Sequence, residues 1–537
     1  MIETEQLTKH SVSWMFDWGN AFGYEHYWSH KLAIVLLVIY AFCLTLIFVY
    51  SLVQLYLAMN YLKSKKEIDA LPIPFDEVNT PYVTIQLPIF NELYVAERVI
   101  EKMAQLDYPT EKLQIQVLDD STDETVEVIA RTVARLQKKT NLDIVHLHRT
   151  NRKGYKAGAL HDAMEHVKGE FIAIFDADFL PEKDFLKKTI PYFQDSEIGV
   201  VQTRWGHINK DYSLLTELQA FGLNGHFAIE QRGRNSAGHF INFNGTGGVW
   251  RKTCIQSAGG WQHDTLTEDL DLSYRAQLKG WKFKYLEEVV APAELPVTMS
   301  ALKSQQHRWM KGGAECFKKN GGRVINAKNV PLSSKFHGIT HLFNSSVFVF
   351  IVLLALLSIP LLEIADSFND LNYAIQLRGF FTISTVLLSF YYWLSFKDKT
   401  GRRWIDIPHF IYRFFQFLVF SLGLSLHNAI AVLEGYMGIK STFVRTPKFN
   451  VNSAGEAIHN KYDKKKISLL NILEGLFFFV FLAMVIYRVL RGEFSFIPFH
   501  LMLTLGFGSV FFYSMSEFRT RKSTAVTNAL KTSHVAN

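Results

Sequence analysis

Two patterns of hydrophobic and polar positions share this chain. From Leu32 to Leu62 no residue is charged, and the run is longer than the about 20 apolar residues a helix needs to cross a bilayer. Further apolar runs occupy Leu342 to Leu362, Gly379 to Phe396, Phe414 to Leu433, Ser468 to Ile486 and Phe496 to Ser516. Between the first run and the others the apolar stretches are short. Tyr82 to Pro88, Leu113 to Leu118 and Leu142 to His146 predict strands, while Glu92 to Leu106 and Glu124 to Lys139 predict helices. This βαβ succession implies an α/β fold with a mostly parallel sheet, right-handed crossovers and a ligand crevice at the strand ends.

Composition and charge turn these patterns into an organisation. The chain has 537 residues, 48% of them hydrophobic and 44 of them Phe, more than a soluble core usually needs. The first run is too long and too late for a cleaved signal peptide. Lys63, Lys65 and Lys66 follow it closely, so the positive-inside rule places the polar middle in the cytoplasm. Glu363 to Asp370 is acidic and predicted external, whereas Lys397, Lys399, Arg402 and Arg403 mark an internal loop. A full crossing by Ile405 to Leu433 would put the basic stretch 440–466 and Arg519 to Lys522 outside. We therefore expect that segment to be interfacial or re-entrant, leaving five full crossings. The expected order is an N-terminal arm (1–31), a first span (32–62), a linker (63–80), a cytoplasmic domain (81–335), a helical membrane region with a cytoplasmic loop 440–466 (336–516), and a basic cytoplasmic tail (517–537). The net charge of +7 is modest and sits in loops facing the inner leaflet, which fits lipid and not nucleic acid. Cys43, Cys254 and Cys316 have neither zinc-site nor disulfide spacing.

The polar middle carries the chemistry. Phe171 to Phe175 is an apolar run that delivers Asp176 and Asp178 in a D-x-D pattern; two solvated carboxylates would read the same way, but a buried strand end argues for a Mg2+ or Mn2+ site. Asp119 and Asp120 end an earlier strand, where one can bond a ribose or base, and Ser121 to Asp123 reads equally as an N-cap cluster. Asn151 to Leu160 places glycines and cations before a helix, either an ordinary basic loop or a diphosphate seat. Phe243 to Trp250 and Gly259-Gly260-Trp261 are glycine-rich and end on indoles, which fits a tight turn or a sugar platform. Thr265-Leu-Thr267-Glu268 has capping-box spacing, so Asp269 falls in the first turn of a helix. There the dipole favours an ionised carboxylate, a candidate base for an acceptor hydroxyl. Gln305, Arg308 and Trp309 share a helical face suited to a diphosphate and a stacked sugar, or to a membrane boundary.

In order, Asp120, Asp176 with Asp178, Thr267 to Asp269 and Gln305 to Trp309 make the D, D-x-D, T-E-D and Q-x-x-R-W series. The series resembles processive β-glycan synthases of glycosyltransferase family 2, strongly from Tyr82 to Lys319. Val117 to Asp123, Gly154 to Leu160, Asn244-Gly-Thr and Leu278 to Phe283 look most like plant cellulose-synthase-like proteins that make glucomannan or xyloglucan backbones. The resemblance implies a GT-A-like domain inserted between transmembrane helices. It assigns Glu92, Asp120 and Asp176 to the nucleotide, Lys156 to the diphosphate, Asp176 and Asp178 to the metal, and Asp269 to the base. Glu268, Gln305, Arg308 and Trp309 go to the acceptor and pyrophosphate end. Phe443, Thr446 and Lys448 resemble a gating loop, with Arg445 where that loop usually has Val. Resemblance to bacterial cellulose synthases would lead one to expect a C-terminal cyclic-dinucleotide-binding barrel; the sequence has a short basic tail there, so regulation by that route is not expected.

The expected function is an inverting, processive β-hexosyltransferase in the plasma or inner membrane. It would polymerise GDP-mannose or UDP-glucose into a β-1,4-linked glycan and pass the growing chain across the bilayer, with accessory export subunits as possible partners. The alternatives are a non-processive transferase acting on a lipid or short acceptor, and a transporter or scaffold with a degenerate domain.

Overall fold

The computed structural model describes residues 30–66, 74–368, 371, 379–398, 406–441, 444, 446–448, 450, 467–494 and 496–535, with side chains omitted for 66, 365–367, 397–398 and 519–535. Phe443, Arg445, most of the 440–466 loop and most of the N-terminal arm lie outside the described residues.

Seven strands form one sheet in the order β3-β2-β1-β4-β6-β5-β7. They are β1 (Val83–Ile89), β2 (Leu113–Asp119), β3 (Asp143–His148), β4 (Phe171–Ile174), β5 (Ile198–His207), β6 (Gly248–Arg251) and β7 (Lys282–Ala293). Only β6 runs antiparallel to its neighbours; the other pairings are parallel. Strand alternation divides the apolar residues between two cores. Phe171, Ala173 and Phe175 enter one with Val83, Ile85 and Leu87, while Ile172 and Ile174 enter the other with Phe243 and Trp250. Register aligns Ile89 with Asp119. The carboxyl ends of β1, β2 and β4 therefore reach one rim, where chain order reverses about β1.

The first crossover helix is shorter than its periodicity predicts. It is α2 (Ala96–Met103), after α1 (His30–Lys66), because Asn91 takes a left-handed φ of 53° and the Glu92 carbonyl closes a turn on Val95 and Ala96. That turn leaves the Glu92 side chain at the rim. Helix α3 (Thr125–Lys139) begins where Asp123 accepts from the Thr125 N–H at 3.0 Å, so Asp123 contributes to the entry. Helix α4 (Tyr155–Ala163) starts at Gly154, φ 73°. Helices α5 (Glu268–Leu278) and α6 (Met299–Asn326) close the rim from the far side.

Among the described residues, five helical stretches are long and apolar enough to cross a membrane. They are α1, the run through α7 (Leu332–Phe343) and α8 (Val347–Ser367), α9 (Gly379–Asp398), α12 (Leu469–Arg491) and α13 (Ile497–Val535). The Ile405–Leu433 segment becomes α10 (Ile407–Gly423) and α11 (Ser425–Met437), bent by 49°. Gly423 allows this corner to lie on α13, since a Cβ there would stand 2.2 Å from the Gly506 carbonyl. Val38, Phe42, Val386 and Phe479 project outward from these helices, while Leu37, Tyr40 and Leu44 pack on Leu354 and Leu361. An apolar exterior around an apolar core is what a lipid environment requires.

Candidate active site

At the rim lies a cleft of about 1290 Å³, open to solvent, and every residue that the family resemblance assigned to the site and that the structure describes lines it. Glu92 comes from the turn after β1, Asp120 from the end of β2, Lys156 from the first turn of α4, and Asp176 and Asp178 from the loop after β4. Glu268 and Asp269 open α5; Gln305, Arg308 and Trp309 share the facing side of α6; Thr446 and Lys448 reach in from the segment after α11.

Buried carboxylates so close together must be offset by cations. The Lys156 ammonium sits 2.6 Å from Asp176 Oδ1 and 2.9 Å from the Gly245 carbonyl. Burial pulls this ammonium down, but Asp176 and Glu268 outweigh it and hold Lys156 above the ordinary range. Lys448 Nζ lies 2.7 Å from Asp178 Oδ2, which also accepts from the Glu294 N–H. Arg308 donates to Thr446 Oγ1 at 2.8 Å. Burial lowers the Arg308 pKa, with Asp176 and Glu268 opposing. Arg149 grips Asp120 through two parallel bonds of 2.7 Å, which orients that carboxylate at the cleft wall.

Asp269 departs from the expectation that a helix dipole keeps it ionised. Burial, and then the neighbouring Glu268, push its carboxyl up to about 7. Glu268 is itself raised by burial, with Lys156 opposing. Gly245 makes room here: at φ 79°, a Cβ would stand 2.9 Å from Asp269 Oδ2.

Asp178 is 1% exposed and Asp176 37% exposed. Asp178 Oδ1 is buried without a hydrogen-bond donor among the described residues. A buried, acceptor-only oxygen beside a second carboxylate fits a hard divalent cation, so the residues present suit Mg2+ or Mn2+.

Two local expectations are corrected. The expected capping box between Thr265 and Glu268 is not formed, because the N-cap of α5 is Thr267, two residues later; Thr267 makes no side-chain cap either, its Oγ1 lying 3.3 Å from Cys316 Sγ under the close approach of Gly312. Trp250 and Trp261 are no sugar platform; they are buried in the core, edge to face with each other. β6 inserts between β4 and β5, which leaves Trp250 no open face. The indole missed from the sequence is Trp205, at the end of β5, where it lines the cleft, stacks on Phe227 at 4.8 Å and stands 6.4 Å from Trp309. An aromatic two residues before a strand's end was the available signal. Glu294 was also missed. It joins the cleft wall to the segment after α11 by accepting from Arg98 and from the Asn450 N–H.

Residues 81–312 match the profile of the family described as "Glycosyltransferase like family 2". The chain is 39% identical over 345 residues to glucomannan 4-beta-mannosyltransferase 1 of Oryza sativa subsp. japonica, covering 60% of this chain and 66% of that protein. It is 43% identical over 267 residues to glucomannan 4-beta-mannosyltransferase 9 of Arabidopsis thaliana, covering 49% of this chain and 50% of that one. The match thus spans between half and two thirds of these relatives' lengths. Among solved structures, a mannosyltransferase of Pyrobaculum calidifontis in complex with GDP-Man and Mn2+ aligns with 68% of this chain and 100% of its own, at 20% identity and a TM-score of 0.46.

Proposed function

Since the chain belongs, through residues 81–312, to glycosyltransferase family 2, we propose that it is a membrane-embedded β-hexosyltransferase that builds a β-1,4-linked mannan or glucomannan from GDP-mannose. UDP-glucose, giving a glucan, is the second donor to test. One observation carries this reading: acids, cations and indoles from elements as distant as β1 and the segment after α11 line a single cleft.

The residues divide the work by position. Glu92 and Asp120 flank the place for the nucleoside, next to the β1 and β2 ends. Lys156 and Arg308 face the acids from opposite walls and present cationic donors to a diphosphate. Asp176 and Asp178 would hold the divalent cation, whose charge neutralises the departing diphosphate. Asp269 accepts the acceptor hydroxyl's proton. Its Oδ1 is held by the Leu270 N–H at 2.8 Å, leaving Oδ2, the oxygen beside Gly245, for the acceptor. One base and one displacement give inversion at the anomeric carbon. Trp309 and Trp205 offer ring faces to the acceptor sugar.

Membrane placement and processivity belong to the same proposal. Leu223 lines the cleft, and its helix (Leu214–Asn224) packs through Phe221 on Tyr392 of α9 and Phe417 of α10. A sugar leaving Trp309 therefore has membrane helices beside it. Thr446 and Lys448 place the segment after α11 on the transferase side. If α7–α8 and α9 each cross, the bent α10–α11 pair must return to the side it left, as a re-entrant or interfacial element. The transferase domain then faces the cytoplasm by the Lys63–Lys66 flank.

Incubating membranes that carry the protein with a panel of nucleotide sugars, followed by linkage analysis, tests the proposal. We expect an alkali-insoluble β-1,4-mannan with GDP-mannose. Single-sugar products would remove processivity, and no nucleoside diphosphate release with any donor would remove the enzyme.

A further inference from the structure

A second cluster of ligating atoms lies outside the cleft, where β2 and β3 end. His146 pairs in register with Val117, and His148 with Asp119. Residues two apart on a strand share a face, so both imidazoles stand against the Asp119 carboxylate. His146 Nε2 is 2.8 Å and His148 Nδ1 3.2 Å from Asp119 Oδ2, and one ligating atom from each residue lies within 4.8 Å of the others. The Ser121 N–H holds the other carboxylate oxygen at 2.8 Å, the kind of outer bond that fixes a metal ligand's orientation. Burial disfavours the charged carboxylate, but hydrogen bonds from His146 and Ser121 outweigh it and hold Asp119 below the usual range. The Asp119 side chain is fully buried, whereas that of His148 is 34% exposed, leaving the cluster one wet side.

We propose that Asp119, His146 and His148 form a second cation site, separate from Asp176 and Asp178, which takes a borderline-soft transition ion of the Zn2+ class. Two imidazoles and one carboxylate select such an ion over Mg2+ or Mn2+, which prefer all-oxygen sets. Tetrahedral Zn2+ with bonds of about 2.0–2.2 Å separates its ligand atoms by roughly 3.4 Å, so the present spacings of 2.8, 3.2 and at most 4.8 Å need side-chain adjustment and no backbone rearrangement. On binding, each facing ring nitrogen gives its lone pair to the ion, its proton moving to the other ring nitrogen or to solvent. A water on the His148 side completes four-coordination. Asp119 directly precedes Asp120, so an ion here would stiffen the strand end that carries Asp120 to the cleft. The site is defined by its ligands and stands whether or not the transfer reaction is the one proposed.

The full chain in detergent, stripped with a chelator and dialysed, is titrated with Zn2+ against a chromophoric competitor in excess Mg2+. The wild type is compared with His146→Ala/His148→Ala, His148→Gln and Asp178→Asn. We expect the wild type and Asp178→Asn to hold about one more tight Zn2+ equivalent than the histidine variants. We also expect Zn2+ to raise the Tm of the wild type and not that of His148→Gln, a substitution at a half-exposed position that keeps the fold measurable even if the double variant does not. Equal Zn2+ stoichiometry and equal Tm shifts in wild type and His148→Gln overturn the site. Loss of the extra equivalent in Asp178→Asn, with the histidine variants unchanged, overturns it too by moving the ion to the cleft.

Discussion

At the scale of single residues, Asp269 sets activity against stability. Its carboxyl is raised to about 7 by burial and Glu268, so the folded state binds a proton that the unfolded chain releases near pH 4. Stability from this group is therefore present at low pH and lost as pH rises through about 7, while the base role proposed for it has the opposite sign. Transfer measured as nucleoside diphosphate release should fall about tenfold per pH unit below the Asp269 pKa. A flat profile between pH 5.5 and 8 would exclude Asp269 as the base. Asp269→Asn should reduce transfer by about 10²–10⁴-fold, keep donor binding by calorimetry, and raise the Tm at pH 8. Gly245→Ala should cost comparable activity by another route, since φ 79° and the 2.9 Å approach to Asp269 Oδ2 would force the base aside. Of this site, the acids and α6 residues were legible because motif spacing reports chemistry. The raised Asp269 and the indole of Trp205 were not, because each depends on which distant residues come to surround it.

Elements place these residues through close helix contacts that leave little trace in hydrophobic patterning. α6 lies against the start of α5 at Gly312, where a Cβ would stand 2.5 Å from Thr267. Below that contact, Asp271 of α5 ties back to Lys319 and Asn320 of α6 at 3.0 and 2.9 Å. The distance between Asp269 and Arg308 is thus set by one glycine and one buried polar clamp. Gly312→Val should push Thr267 and Asp269 away from Arg308, lowering kcat at least about tenfold, given the sensitivity of reacting geometry to ångström shifts. Tight donor binding, proposed to rest on β1, β2 and α4, should survive in the same preparation. A Gly312→Val enzyme with unchanged kcat would show that the α5–α6 spacing does not position the base. A capping signal located α5 and the i, i+3, i+4 spacing of Gln305, Arg308 and Trp309 marked part of α6, yet the shortened α2 and the position of the corner between α10 and α11 escaped the pattern. A left-handed Asn91 and a glycine-to-backbone contact at Gly423 are tertiary facts.

For the whole molecule, charge asymmetry read from the sequence and contacts read from the structure support the proposed topology by separate routes. The positive-inside rule puts the chain after α1 and the stretch after α11 on the same face. Independently, Arg308 to Thr446 and Lys448 to Asp178 bind that stretch to the transferase domain. If α12 and α13 both cross, as proposed, α12 leaves that face and α13 returns to it, and the turn near Phe494 lies opposite the cleft. Val444 and Phe494 are 57% and 67% exposed, and the three native cysteines are buried, so single cysteines introduced there can be reached selectively. In sealed vesicles with the transferase domain outward, a membrane-impermeant maleimide should label Val444→Cys at once and Phe494→Cys only after detergent. Labelling of both from one side would mean that α12 and α13 do not cross. If Phe494→Cys alone were labelled, the α10–α11 corner would be a true span, and Lys448 could not reach Asp178 in the membrane.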